Sequence, residues 1–499
     1  MDRVAAALQR DGLLPGDTVA ICARSSVRYV AVFLGALRAG AVVVPLPPSV
    51  TPVTFRTMMA DAEARWLFSD EVAQPLASEA DAQYRIDLGA APVGQGTTAT
   101  AIPAGGRPFG AWAGEGAAGD AMSVEAAAQP VAIEPHWPFN IIYSSGTTGT
   151  PKGIVQPHSM RWVQVNRLNF RYSPKSVSLI ATPLYSNTTL VVLLPTLAHG
   201  GSVVLMDKFE PSGYLRLAVR HQATHTMLVP VQYQRLMALL DFESHDLSSF
   251  VFKFCTSAPF PAALKADVLK RWPGGLVEFY GMTEGGGSCV LLAHEQPDKL
   301  HTVGRPAEGH DIRLIDEAGN EVADGEPGEV VGHSSSMMSG YHRQPAASLA
   351  AQWFDATGKP FIRTGDVGRF DRDGFLTLLD RRKDLIISGG FNIYPSDLEA
   401  VLRAHPQVLD CAVVGAVSAR WGETPVGFVV LQAGATGSGR SREEDRDEAA
   451  DSILHWANQR LGRTQRLAAV RIVPELPRSA IGKVLKRELR DSLGAGQIR

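Results

Sequence analysis

At 499 residues the chain exceeds what one compact core accommodates, so at least two domains are expected. Its 45% hydrophobic and 20% charged composition is that of an ordinary globular protein, and a net charge of -3 gives no electrostatic reason to bind nucleic acid or an anionic membrane. The 4 cysteines, Cys22, Cys255, Cys289 and Cys411, have no paired spacing, which argues against a disulfide framework or zinc site and for reduced thiols in a cytoplasmic protein.

The chain opens on an amphipathic helical pattern around Val4 to Leu8, with no apolar signal core. Residues 18–22 and 41–45 read as strands flanking a helix over 26–38. Residues 71–130, rich in Ala, Gly and Thr, show little periodicity and are expected to form variable surface structure. The longest apolar run, around Leu190 to Leu197, is short and broken by Pro195, so it reads as core and not as a membrane span. Strands follow at 202–206, 226–229 and 251–255, separated by helical patterns at 213–220, 232–240 and 262–271. Continuously apolar strands alternating with helices predict an α/β fold of parallel-rich sheets flanked by helices.

Residues 311–380 carry short strands and glycine turns, as in a small β subdomain, and residues 433–449 read as a solvated loop. After Asp384 a βαβ-like series begins, and Ser396 with Glu399 forms a capping-box pattern for a helix ending near Ala404. The expected organisation is therefore a large N-terminal domain (1–380, with the β subdomain) and a small mobile α+β domain (381–499), with the boundary at 380–384.

The most informative stretch follows an apolar run, Asn140 to Tyr143: Ser144, Ser145, Gly146, Thr147, Thr148, Gly149, Thr150, Pro151, Lys152, Gly153. Glycines let backbone N–H groups approach an anion, hydroxyls add donors, and Lys152 adds charge, which together make a phosphate cradle. It is not a Walker A loop, because Lys152 is followed by Gly153 and not by Ser or Thr, and a P-loop ATPase is disfavoured.

This loop resembles the phosphate-binding signature of the adenylate-forming superfamily, which includes acyl- and aryl-CoA synthetases, luciferase-like enzymes and peptide-synthetase adenylation domains. The likeness continues in order along the chain: Tyr280-Gly281-Met282-Thr283-Glu284, Arg363-Thr364-Gly365-Asp366, Asp380 to Asp384, and Pro477 to Lys483. Family members ordinarily carry a longer N-terminal stretch than precedes this point here. The first sheet is therefore expected to lack an edge element, unless the true start lies upstream.

The resemblance implies ATP, Mg2+ and CoA as cosubstrates and cofactor of a small-molecule carboxylic acid. Ser144, Ser145, Gly146, Thr147, Thr148, Gly149 and Lys152 would hold the β- and γ-phosphates. Ser257, Ala258, Phe279, Tyr280, Gly281 and Met282 would border the nucleotide, with Thr283 on the α-phosphate and Glu284 on the metal. Asp366 and Arg381 would take the ribose hydroxyls, and Lys483 would bridge carboxylate and α-phosphate. Lys383 would be the hinge that exchanges Lys483 for Ser388, Gly389 and Gly390 at the mouth of a pantetheine tunnel.

The acyl pocket is where the likeness thins. Ser186 stands where many of these enzymes have a histidine and amino-acid-activating domains an aspartate, which disfavours an amino-acid substrate. Tyr185, Ser186, Asn187, Val229, Ser257, Phe279, Gly285, Gly286 and Gly287 are candidate walls, the glycines leaving room for a sizeable or flat acyl group. The leading expectation is an AMP-forming acyl-CoA ligase, for which a homodimer is allowed. The alternatives are an enzyme loading a carrier protein's phosphopantetheine and a catalytically idle relative. His158 and His199 have no partner motif and read as ordinary polar residues.

Overall fold

The computed structural model describes residues 1–89, 106–114, 127–144, 151–166, 170–381, 384–388, 391–418, 421–432, 442–462, 465–479 and 482–493. It divides into two compact units: residues 1–312 with 331–363, and residues 313–330 with 364–499.

The first unit contains an 8-stranded and a 7-stranded sheet. In the larger sheet Thr18–Cys22 lies between Val42–Leu46 and Trp66–Ser69 and runs parallel to both. That central place buries Val19, Ala20, Ile21 and Cys22 alike, which is why the strand is continuously apolar. Helix Val27–Arg38 follows, its first turn capped by the Ser26 hydroxyl, which accepts from the Tyr29 N–H at 3.1 Å. Helix Asp2–Arg10 packs on it so closely at Gly35 that an added Cβ there would stand 2.6 Å from the Val4 Cβ.

In the second sheet Ser202–Leu205, Val177–Ile180, His225–Leu228, Phe252–Cys255 and Gly275–Tyr280 lie side by side and parallel. Helices Asn187–Ala198, Pro211–Arg220, Pro230–Met237 and Ala262–Arg271 are the crossovers. Two buried lysines hold this layer. Lys253 Nζ donates to the carbonyls of Trp272, Pro273 and Gly274 at 3.1, 2.6 and 2.7 Å, just past the end of helix Ala262–Arg271. Lys265 pairs with Glu278 and donates to the carbonyls of Leu300 and Thr302, anchoring the strand that ends at Tyr280. Burial outweighs the Lys265 charge and pushes the Glu278 carboxyl up to about 7.

In the second unit Val408–Ser418 and Gly422–Leu431 form a long antiparallel hairpin, extended by Ile386–Ser388 and Ala469–Ile472. Helices Pro395–Arg403 and Arg442–Asn458 supply Leu398, Leu402, Ile453 and Ala457 to a core with Val413 and Val429. The first unit is α/β, as the strand and helix alternation predicts, and the second combines helices with a mainly antiparallel sheet, as expected of an α+β domain. Among the described residues no helix is long and apolar enough to cross a membrane.

Three expectations are corrected. Residues 71–130 are not all surface: Tyr84–Asp87 pairs parallel with Trp66–Ser69, and Phe109 and Trp112 are buried, Trp112 edge-on to Phe68 at 5.0 Å. Four-residue elements leave too short a pattern to show a period. Residues from Arg442 onward belong to a helix and not to a loop, since its acidic and alanine-rich turns lead directly to the buried Ile453 and Ala457.

The capping box does not form either. The helix starts at Pro395 with Tyr394 as N-cap, the Ser396 N–H donates to Asp380 Oδ2 at 2.9 Å, and its hydroxyl donates to the Leu379 carbonyl. Glu399 is buried instead, accepting from the Val413 N–H and pairing with Arg403 and Lys486.

Candidate active site

The candidate site of the first unit is assembled from strand ends. Pro138–Ser144 and Lys152–Pro157 pair antiparallel, with Ser144 opposite Lys152 and Tyr143 opposite Gly153. Ser145, Gly146, Thr147, Thr148 and Gly149 lie between them, outside the described residues. Gly153 has to be glycine: a Cβ would stand 2.8 Å from Ile141, 3.1 Å from the Tyr143 ring and 3.2 Å from His342. The Tyr143 hydroxyl donates to Asp61 Oδ2 at 2.6 Å, and burial together with that carboxylate raises its pKa.

Gly340–Tyr341 pairs with the same strand, Tyr341 opposite Ile154. This places the Lys152 ammonium 5.0 Å from the Tyr341 ring centroid, while the Tyr341 hydroxyl donates to Glu284 Oε1 at 3.0 Å. Burial, and then the Glu284 charge, raises the Tyr341 pKa, so the phenol stays a donor. Lys152 of the phosphate stretch and Glu284 of the second motif are thus brought to opposite parts of one tyrosine. Tyr341 carries no motif of its own; only its pairing with Ile154 reveals it.

The stretch after strand Gly275–Tyr280 is held at several points. Gln156 Nε2 donates to the Thr283 carbonyl at 2.7 Å, the Met338 N–H donates to the Glu284 carbonyl at 2.8 Å, and Gly285 bridges to Met337. Gly285 and Gly286 have φ of 76° and 86°. A Cβ on them would stand 1.9 Å from the Ser336 carbonyl oxygen and 2.7 Å from the Ile362 Cβ, and one on Gly287 2.2 Å from Ile312 Cδ1. The expectation that these glycines leave room for an acyl group is corrected: a side chain's space is already filled by neighbouring backbone and side chains. Gly285 and Gly286 turn the chain left-handed, and all three glycines pack directly on that layer.

Ser186 is the buried N-cap of helix Asn187–Ala198, its hydroxyl accepting from the Thr188 N–H at 3.3 Å. Asn187 Oδ1 accepts from Gln156 Nε2 at 3.4 Å, and the Thr188 hydroxyl meets that of Ser257 at 2.7 Å. Ser257 itself has φ of 80°, a left-handed conformation unusual for serine. Val229 is buried at the N-cap of helix Pro230–Met237, and burial raises the Tyr185 pKa.

Phe279 faces an aromatic cluster, edge-on to Phe170 and stacked on Phe254, each at 5.7 Å. Gln164, Tyr172, Val191, Val192 and Pro195 complete a narrow cavity with these rings. Of that wall only Phe279 was legible in the motifs; the other residues come from helices and a loop without a signature.

In the second unit Asp366 and Arg381 are register partners across a hairpin, with Arg381 Nε 3.2 Å from Asp366 Oδ1. Gly365 precedes with φ of 71°, and the Asp366 N–H donates to the Thr364 hydroxyl. Ser388 ends strand Ile386–Ser388, whereas Lys383, Gly389 and Gly390 lie outside the described residues. Lys483 sits at the exit of a turn in which its N–H donates to the Ser479 hydroxyl at 3.2 Å and its carbonyl accepts from the Ser479 N–H at 2.8 Å.

A fold of this kind, with the phosphate stretch and the Tyr280–Glu284 stretch converging on Tyr341, defines an adenylate-forming enzyme. The chain belongs to the AMP-binding enzyme family: that family's model matches residues 1–342, and the AMP-binding enzyme C-terminal domain matches residues 397–483. It is 33% identical to a feruloyl-CoA synthase of Amycolatopsis sp over 502 residues, covering 99% of this chain and 92% of the relative. It is 32% identical to 4-coumarate--CoA ligase 2 of Oryza sativa subsp. japonica over 515 residues, covering 99% and 86%. Among solved structures, ATP-bound MatB from Rhodopseudomonas palustris superposes with a TM-score of 0.82 at 29% identity, covering 98% of this chain and 91% of that one. The amide bond synthetase McbA from Marinactinospora thermotolerans gives 0.81 at 27%, covering 99% and 93%.

Proposed function

We propose that this chain is an AMP-forming acid–CoA ligase. It joins a carboxylic acid to the α-phosphate of ATP, releases pyrophosphate, and passes the acyl group to the CoA thiol. The observation that carries the reading is the Lys152–Tyr341–Glu284 alignment, which gathers a cation and a carboxylate from two separate nucleotide motifs. Full-length similarity to acid–CoA ligases supports it.

Adenylation brings two anions together, so its catalysis is largely positioning and charge stabilisation. In this reading Lys152, with the hydroxyls and N–H groups of residues 144–149, binds the terminal phosphates. Thr283 approaches the α-phosphate, and Asp366 with Arg381 takes the ribose. Lys483 bridges carboxylate and phosphate, and Lys383 is the hinge. Among the described residues no group of three or more His, Cys, Asp or Glu side chains could cage a metal. A magnesium ion would therefore be held by Glu284 together with phosphate oxygens, its usual mode, and would neutralise phosphate charge.

The acid is aryl or aliphatic, and the setting cytoplasmic, in keeping with buried free thiols at Cys22, Cys255, Cys289 and Cys411. The similarity to an amide bond synthetase supports a second reading, in which an amine replaces the thiol. An AMP-release screen over aryl and fatty acids, with CoA, an amine or a phosphopantetheine carrier as acceptor, tests these readings. Acid-dependent AMP release enhanced by CoA is expected. Release enhanced only by the amine or the carrier would replace the proposal, and no acid-dependent release at all would overturn it.

A further inference from the structure

Arg161, in helix His158–Val165, is buried beside Asn140, Gln156 and Gln164, all of them buried too. Its Nη1 donates to Gln164 Oε1 at 2.8 Å, and its Nη2 donates to Asn140 Oδ1 at 3.2 Å and to Gln156 Oε1. The guanidinium carbon lies 5.5 Å from the Phe139 ring centroid. These recorded hydrogen-bond partners are neutral amides, and burial alone pulls the Arg161 pKa down to about 9, so the cation persists at neutral pH.

A guanidinium has donors only. Each amide touching it must therefore present oxygen, which settles the orientation of Gln156 by chemistry. The Gln156 NH2 is left pointing the other way, where it meets two acceptors: the Thr283 carbonyl at 2.7 Å and Asn187 Oδ1 at 3.4 Å. A reversed amide would face N–H to N–H on one side and oxygen to oxygen on the other. Gln156 also belongs to the strand that begins at Lys152. One side chain thus ties the phosphate strand, the N-terminus of helix Asn187–Ala198 and the backbone of the Thr283–Glu284 pair.

We propose that Arg161 and Gln156 are positioning residues for adenylation: Arg161 fixes the Gln156 amide, and Gln156 holds Thr283 at its place for the α-phosphate. This rests on the ligase reading, yet its test has a readout that does not need the acid. Gln156→Glu keeps an acceptor for Arg161 and adds a compensating charge, but offers Thr283 no hydrogen. That variant is expected to stay folded, the new ion pair with Arg161 offsetting the oxygen-to-oxygen contact at Thr283. It should bind AMP several-fold more weakly and exchange pyrophosphate into ATP about tenfold more slowly, the scale of one lost hydrogen bond.

A stable Gln156→Glu enzyme with wild-type AMP affinity and exchange rate would overturn the proposal. Gln156→Leu should lose as much function as Gln156→Glu, and adding Arg161→Met to Gln156→Leu should lose little more, because Arg161 acts through Gln156. Multiplying losses in that double variant would also overturn it. If the wild type releases AMP with no acid, the ligase reading fails, while the AMP-affinity comparison still decides the positioning role.

Discussion

Arg381 reaches Asp366 across the hairpin that joins Pro360–Phe370 to Leu376–Arg381, Nε to Oδ1 at 3.2 Å between register partners. The pair stands next to a register shift at Val367 and Gly368, where the regular ladder is interrupted. Both residues lie in stretches that resemble the family's motifs, and the ion pair holds the Asp366 carboxylate in a defined orientation.

If that carboxylate takes the ribose hydroxyls, Asp366→Ala removes charge-assisted hydrogen bonds from the nucleotide. The expected outcome is a KM for ATP raised roughly ten- to a hundredfold, with the KM for the acid changed little. Steady-state kinetics with each substrate varied in turn checks it. An unchanged KM for ATP in a folded variant would remove Asp366 from the nucleotide site.

Lys483 leaves a tight turn braced by Ser479. A cation bridging two anions acts where charge develops, which is the first half-reaction. Lys483→Ala should slow acyl-adenylate formation by about 10²–10³-fold or more and leave thioester formation from presynthesised acyl-AMP and CoA near normal. Equal loss of both half-reactions in a folded variant would contradict a role confined to the first.

Gly285 combines a left-handed backbone with a Cβ position 1.9 Å from the Ser336 oxygen. Gly285→Ala should therefore destabilise the protein by about 1–3 kcal/mol and displace Glu284 beside it. Urea denaturation and the metal dependence of pyrophosphate exchange read the two effects separately. Wild-type stability in the variant would mean that the layer at Ser336 yields easily.

Burial pushes the Lys253 ammonium down to about 7, against three carbonyl acceptors that favour its charged form. Between about pH 7 and the ordinary lysine range near 10.4, the folded state then binds fewer protons than the unfolded chain, so this group makes stability rise with pH. Lys253→Met should be destabilising at every pH, and its deficit should widen as pH is raised from about 7 to about 10. Denaturant titrations of both proteins across that range measure the difference. A constant deficit would show that the three carbonyls keep the lysine charged.

The parallel-rich sheets were legible because strands buried on both faces, such as Thr18–Cys22, are apolar at every position. Helix Ala262–Arg271 was legible to the residue because its pattern runs long enough to show a period. Tyr84–Asp87 was not, since four residues carry almost no periodicity and their place in the sheet comes from pairing with the Trp66 strand beside them. The Ser396 capping pattern misled for a related reason. The Asp380 carboxylate takes that N–H and the Leu379 carbonyl takes the hydroxyl, two partners distant in sequence that replace the local cap.

By itself the sequence determined the chemistry on offer: a glycine and hydroxyl cradle ending in Lys152, a Thr283–Glu284 pair, an Asp366 and a Lys483, in an order shared with adenylate-forming enzymes. Those properties reside in short contiguous stretches, where backbone freedom and side-chain charge are local. Tertiary structure alone decided which of them meet. It placed Tyr341 between Lys152 and Glu284, turned Ser186 into a helix cap, packed Gly285 and Gly286 against Ser336 and Ile362, and set Arg161 behind Gln156. Each of these depends on strand register and layer packing between segments far apart in the chain, and no local pattern encodes a distance of that kind.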